Sequence, residues 1–208
     1  MGVTEWVLIA VAVLAVAVVV LWRQAVRVDR LHRTVLRSRA TLEAQLAARA
    51  AAANELAATG ALDPVEALLV TDVALRASDA AAGGLVADGL EGRPDGDPLG
   101  EEPPASRPGV DRAGVDRAVV ESELSRTLRA VLGAEGQRAD LAEDPRAADV
   151  LVRLEQAWYR LQLARRFHNA RVVQVRRVRA TPLVRLFHLA GHAPVPEPFD
   201  MDDAPPHD

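Results

Sequence analysis

The chain begins with an apolar run, Trp6 to Trp22, in which Val, Ala, Leu and Ile leave no polar face. With Val3 and Thr4 in front, the run is long enough for a helix to cross a hydrocarbon core of about 30 Å. Amphipathic stripes follow. Leu31, Val35, Leu42, Leu46, Ala53 and Leu56 recur in a heptad-like register, interrupted at Ser38 and Arg49, and predict a first bundle helix over Leu31–Leu56. Leu68, Leu69, Val73 and Leu75 predict a second over Pro64–Ala82, and Val120, Leu124, Leu128 and Val131 a third over Asp116–Leu132. The longest stripe runs from Pro145 to Arg179. It carries Leu151, Leu154, Trp158, Leu161, Val172 and Val175, with Arg165 and His168 in the same line and Val150, Tyr159, Leu163 and Phe167 on its flanks. A stripe that wide must be covered by other helices.

Stop and start signals divide the stripes. Gly60 is a C-terminal stop, Asp63-Pro64 and Asp144-Pro145 pair an N-cap with Pro at the first helical position, and Gly83-Gly84 and Gly133 end the second and third helices. Thr181-Pro182 closes the last, because the residue before Pro is driven out of helical conformation. The pattern predicts an all-α chain, a transmembrane helix followed by an up-and-down bundle of about four helices whose first and last are long. Its parts are a tail (1–5), the span (6–22), helices one and two (27–82), a Pro-, Gly- and acid-rich linker expected to be disordered (83–115), helices three and four (116–180) and a partly disordered tail (181–208). Gly109-Val110-Asp111-Arg112 recurs at Gly114-Val115-Asp116-Arg117, too few copies for a repeat architecture.

Composition sharpens this. The net charge of −4 conceals an asymmetry: from Leu161 to Arg185 there is no acid, yet Arg165, Arg166, Arg171, Arg176, Arg177, Arg179 and Arg185 all fall there. That patch suits an anionic lipid surface or a partner protein. The competing structural reading pairs these arginines with Glu121 and Glu123 or with Asp200, Asp202 and Asp203 of the tail. Nucleic acid is disfavoured, because the patch lacks interleaved aromatics. Trp6 and Trp22 sit at the two ends of the span as an aromatic belt would, and Arg23, Arg27, Arg30 and Arg33 follow it while only Glu5 precedes it. The bias predicts a cytoplasmic C-terminal part. A cleaved signal peptide would require a basic stretch before the run, and Met1 to Glu5 carry none.

Candidate chemistry is sparse. The chain has no Cys, which excludes disulfides, thiolate metal sites and Cys nucleophiles. His188 and His192 stand four apart, and a metal site would need further ligands from His168, His207 or the tail acids; the incidental pair is the preferred reading. The acids at Asp200, Asp202 and Asp203 are read as a solvated tail. No phosphate loop, serine elbow or His-Glu-x-x-His is present. A non-enzymatic, cofactor-free scaffold is expected, bound to the bilayer and to a protein partner; the alternatives are an anionic-lipid-binding surface protein, an unrecognised enzyme assisted by metal at His188, His192 and the tail acids, and self-association through the heptad-like stripes.

Leu163-Ala164-Arg165-Arg166-Phe167-His168-Asn169, with Glu155 before it, resembles the last-helix element of the LemA family. Leu31–Ala57, with Leu42 and Arg49, is similar to the family's first bundle helix; Glu121-Ser122-Glu123-Leu124-Ser125 resembles its third-helix entry, and Phe187–Asp203, with Pro198-Phe199, its tail. The resemblance implies a membrane helix followed by a helical bundle, with Glu155, Ala164, Arg165, Arg166, Phe167 and Asn169 as motif residues. It implies no established reaction. Gln174, Arg176, Arg177 and Ala180-Thr181-Pro182-Leu183 depart from the family pattern and mark a divergent branch.

Overall fold

A computed structural model describes residues 2–86, 116–187, 190–191 and 193–206. The expected linker falls almost wholly outside these residues, as do His188, His192 and His207. All regular structure described is helical: α1 (Val3–Ala58), α2 (Pro64–Ala80), a 3-10 turn (Ala81–Gly83), α3 (Arg117–Leu132), α4 (Gln137–Glu143), α5 (Ala148–Arg179) and α6 (Pro182–Leu186).

The apolar span and the first bundle helix are one element. No Gly or Pro lies between Val3 and Ala58, so nothing breaks the backbone ladder, and α1 runs for 56 residues, about 84 Å at 1.5 Å per residue. From Trp6 to Val20 every residue is exposed, and the first buried residue of α1 is Val28. The helix is long and apolar enough over its first part to serve as a membrane anchor or a signal sequence. It ends where expected, at Gly60, whose φ of +73° is a conformation that L side chains disfavour.

α2 starts on the expected cap, with Asp63 accepting the Val65 N–H at 2.9 Å and Pro64 in the first turn. Its buried face differs from the expected one. Val70, Val73, Ala74 and Ala77 face inward, whereas Leu68, Leu69 and Leu75 are exposed together with Val65. The small residues allow α2 to lie close against the Ala-rich part of α1, where Ala50, Ala52, Ala53 and Ala57 are buried, and the large ones are left outside. α3 is capped by Asp116, which accepts the Ala118 N–H at 3.0 Å, and buries Val120, Leu124, Leu128 and Val131 as predicted.

Three boundaries are corrected. Between the third and fourth expected helices, Gly136–Glu143 contains the short helix α4, which buries Leu141. α5 begins at Ala148 and not at Pro145, because Asp144 forms a local turn: its side chain accepts the Arg146 N–H and its carbonyl the N–H groups of Ala147 and Ala148. Part of the expected tail is the helical turn α6, which buries Val184.

The core is built on α1 and α5, which run antiparallel over most of the length of α5. Leu56, Leu124, Leu128, Leu154 and Trp158 pack at the end far from the apolar run, Leu42, Leu46 and Leu161 in the middle, and Val35, Val172 and Val175 at the near end. Of the expected flank of α5, Val150 is buried, but Tyr159 and Phe167 are largely exposed. The two interruptions of the α1 stripe are matched by polar partners. Ser38 Oγ lies 3.0 Å from His168 Nδ1, and Arg49 is wholly buried against Glu121.

Candidate functional site

Three pairings set the register of α1 against α5. The Arg49 guanidinium lies 5.3 Å from the centre of the Trp158 ring, Ser38 meets His168, and Val28 and Arg179 line one cavity of about 290 Å³ with His32 and Val175. The end of α5 is therefore level with the stretch of α1 that follows Trp22. At 1.5 Å per residue, Val28 stands about 9 Å beyond Trp22 along the helix. Arg176 and Arg177 come to the same level as Arg27 and Arg30, and all four are exposed. Asp29, in an exposed 2.5 Å pair with Arg33, is the only acid in residues 22–37 and 170–187.

The seven arginines of the sequence patch do not act as one surface. Arg166, Arg171, Arg176, Arg177 and Arg185 are exposed and have no ion pair among the described residues. Arg171 lies about 20 Å beyond Trp22 on the same register, more than a Debye length from any surface at that level. Arg179 is turned inward and donates to the carbonyls of Pro194 and Ala193, both at 2.7 Å. Arg165 pairs with Asp203 through Nε to Oδ2 (2.7 Å) and Nη2 to Oδ1 (2.8 Å).

That last pairing belongs to a second feature, the course of the C-terminal segment. Residues 193–206 are not a solvated tail but a strap laid along α5 and α3. Phe199 and Met201 are buried with Leu42, Leu46 and Leu161. Asn169 holds the Phe199 backbone with its whole amide: Oδ1 accepts the Phe199 N–H and Nδ2 donates to the Phe199 carbonyl, each at 2.9 Å. Trp158 Nε1 and Gln162 Nε2 both donate to the Asp203 carbonyl, at 3.0 and 2.7 Å. Arg129 of α3 forms a two-pronged pair with Asp202, and Ser122 Oγ accepts the Asp202 N–H at 3.0 Å. The Arg129 hydrogen bond holds the Asp202 carboxyl below its ordinary range and raises the guanidinium in turn. Asp200 is the most exposed of the three acids and touches Arg165 Nη1 at 3.4 Å.

The motif residues divide between these features. Ala164 is buried, Arg165 and Asn169 grip the strap, Glu155 pairs with Arg138 of α4, and Arg166 and Phe167 face outward. Trp6, Trp22, Arg23 and Arg27 stand exposed at the two ends of the apolar run. Among the described residues no three His, Cys, Asp or Glu side chains are grouped so as to hold a metal. No family model, curated protein or solved structure matches this chain.

Sequence reasoning missed Ser122, Arg129, Trp158 and Gln162 as partners of the strap. One signal was legible: Trp158, Gln162, Arg165 and Asn169 are spaced by four, three and four, a single polar-edged stripe beside the apolar one. Below the strap lies a sealed polar group. Arg49 donates to Glu121 Oε2 (2.8 Å), to the Glu121 carbonyl (3.0 Å) and to Ser125 Oγ (2.7 Å), while Arg117 Nε stands 3.6 Å from the other Glu121 oxygen. Burial lowers the Arg49 pKa, and the Glu121 charge opposes that shift.

Proposed function

We propose that the chain is a single-pass membrane protein of LemA type, a non-enzymatic scaffold whose helical bundle rests on the anionic cytoplasmic leaflet through its arginine-rich end. One observation carries the reading: the antiparallel register sets Arg176 and Arg177 of α5 beside Arg27 and Arg30 of α1, immediately beyond the apolar run. Exposed arginines about 10 Å from a charged surface stand at about one Debye length in roughly 0.1 M salt, and each contributes about 1 kcal/mol near anionic lipid. The anchor reading is supported over a signal sequence because α1 passes from the apolar run into the bundle core without a break. A cut there would fall within a continuous helix. The arginines after the run and the lone Glu5 before it favour a cytoplasmic bundle.

The chain has no Cys, so one engineered cysteine can be labelled alone. A polarity-sensitive dye on Arg177→Cys of the full chain, reconstituted into neutral or anionic vesicles, reports contact with the surface. A blue shift on anionic vesicles only, lost in high salt and in a variant with Arg27, Arg30 and Arg176 changed to Gln, is expected. Identical emission on both lipids would overturn the proposal.

A further inference from the structure

We propose that the groove between α3 and α5 is a peptide-recognition site, whose resident occupant is the chain's own strap and which takes an extended acidic segment of a partner protein in its place. The proposal gives a chemistry to the partner in the scaffold reading above, and rests on that reading only for the partner's existence.

The groove has the parts that recognition of an extended peptide needs. Asn169 offers one acceptor and one donor to a single backbone residue, which fixes register whatever side chain is present. Trp158 and Gln162 converge on one carbonyl four residues further on. Two guanidiniums, Arg129 and Arg165, each take one of two consecutive carboxylates in forked geometry, and so demand an acidic pair at that spacing. The residue held by Asn169 sends an aromatic side chain into the core, and a methionine two residues on, just before the acidic pair, does the same. The pattern read is aromatic, any residue, large apolar, acid, acid.

The resident strap fills this groove incompletely. Beyond Asp203 lies a cavity of about 230 Å³ walled by Leu132, Leu154, Trp158 and Tyr159, to which the strap, among the described residues, presents Pro205 and Pro206. Arg138, paired with Glu155, also borders the cavity, and its Nε is buried without a hydrogen-bond acceptor among the described residues. A tethered segment competes at a millimolar effective concentration, so an incoming segment with identical contacts would gain nothing over the strap. A partner segment that follows its acidic pair with a bulky apolar residue fills the cavity that the prolines leave. That asymmetry selects a partner of different sequence over the tail of a second copy.

The test uses the full chain in detergent micelles and two fluorescent peptides, one with the sequence of residues 196–206 and one carrying Pro206→Leu. The leucine peptide is expected to bind at least tenfold more tightly. Phe199→Ala in the chain, which loosens the strap but leaves the groove, is expected to raise the affinity for both peptides by tenfold or more. Asp203→Asn in the chain, which removes one charge and keeps the backbone contacts, gives the same direction should Phe199→Ala fail to fold. Absence of binding to a folded loosened-strap chain at millimolar peptide would overturn the proposal, and equal affinities of the two peptides would overturn its cavity. The measurement contains no lipid vesicle, so its failure leaves the membrane-facing arginines untouched.

Discussion

Arg49 and Glu121 are the most demanding pair in the bundle, because both side chains are essentially removed from solvent, at 0% and 1% exposure. Replacing Arg49 by Met leaves the Glu121 carboxylate in the core with only Arg117 Nε at 3.6 Å. An uncompensated charge at such a site costs roughly 3–5 kcal/mol. Glu121→Leu has the reverse effect and leaves the Arg49 guanidinium with Ser125 Oγ, a main-chain carbonyl and the Trp158 ring. The double variant differs in kind. Ser125 Oγ still donates to the Glu121 carbonyl at 3.1 Å, so no new polar atom is orphaned there, and apolar side chains fill similar volume. What remains is the lost contact of Arg49 with Trp158, about 1–2 kcal/mol, and the loss of the carboxylate facing buried Arg117, which the Glu121→Leu single variant shares and which therefore cancels in the cycle. The two single costs therefore fail to add by at least about 3 kcal/mol. At about 2–4 °C per kcal/mol for a domain of this size, each single change lowers the unfolding midpoint by roughly 6–20 °C, and the double by much less. Thermal unfolding of the full chain in detergent, followed by helical circular dichroism, reads all four corners of the cycle. Single effects under about 1 kcal/mol, or additivity within about 0.5 kcal/mol, would refute the idea that this pair acts as one buried unit.

Asn169→Ala removes both backbone contacts to Phe199 and leaves its N–H and carbonyl to find other partners; a loss of about 2 kcal/mol and faster exchange of the Phe199 amide are expected. Hydrogen exchange unchanged along the strap would contradict its seating. Because the folded-state pKa of Asp202 is depressed, its contribution to strap stability is fully present above its unfolded value near 3.9 and is lost as pH falls through the lower folded value. Strap amides should lose protection below about pH 4, and Asp202→Asn should flatten that dependence; the same pH response in both proteins would contradict the assignment. Gly60→Ala meets open space, so its cost is conformational only, about 1–2 kcal/mol from φ of +73°. A cost near zero in the unfolding midpoint would show that this turn relaxes.

Much of the fold was legible in the pattern of apolar residues, and the reasons are local. The caps at Asp63 and Asp116, the stops at Gly60 and Gly133 and the inward stripes of α3 and α5 follow from short-range chemistry that a sequence displays. The inward face of α2 was not legible. Val70, Ala74 and Ala77 are buried because α1 offers an alanine surface that admits close approach, and that depends on a different helix and not on the period of α2 itself. The strap was hidden for a related reason. A segment such as Pro198-Phe199-Asp200-Met201-Asp202-Asp203 has no helical or strand period, and its order comes from side chains of α3 and α5. The arginine patch was visible as composition, but only the register of α1 against α5 separates the arginines near the apolar run from those that hold the strap.

The claim that the arginine end faces the bilayer is tested most directly by height. Spin labels on Arg177→Cys and on Glu143→Cys of the full chain, reconstituted into anionic vesicles, can be read against a relaxation agent at the lipid headgroups. A bundle carried upright on α1 places position 177 within about 15 Å of the surface and position 143 on the order of 50 Å from it, at 1.5 Å per residue. Strong relaxation at 177 and none at 143 is the expected result. Equal relaxation at the two positions would mean that the bundle lies along the surface or swings away from it, and that its arginine end is not what meets the membrane.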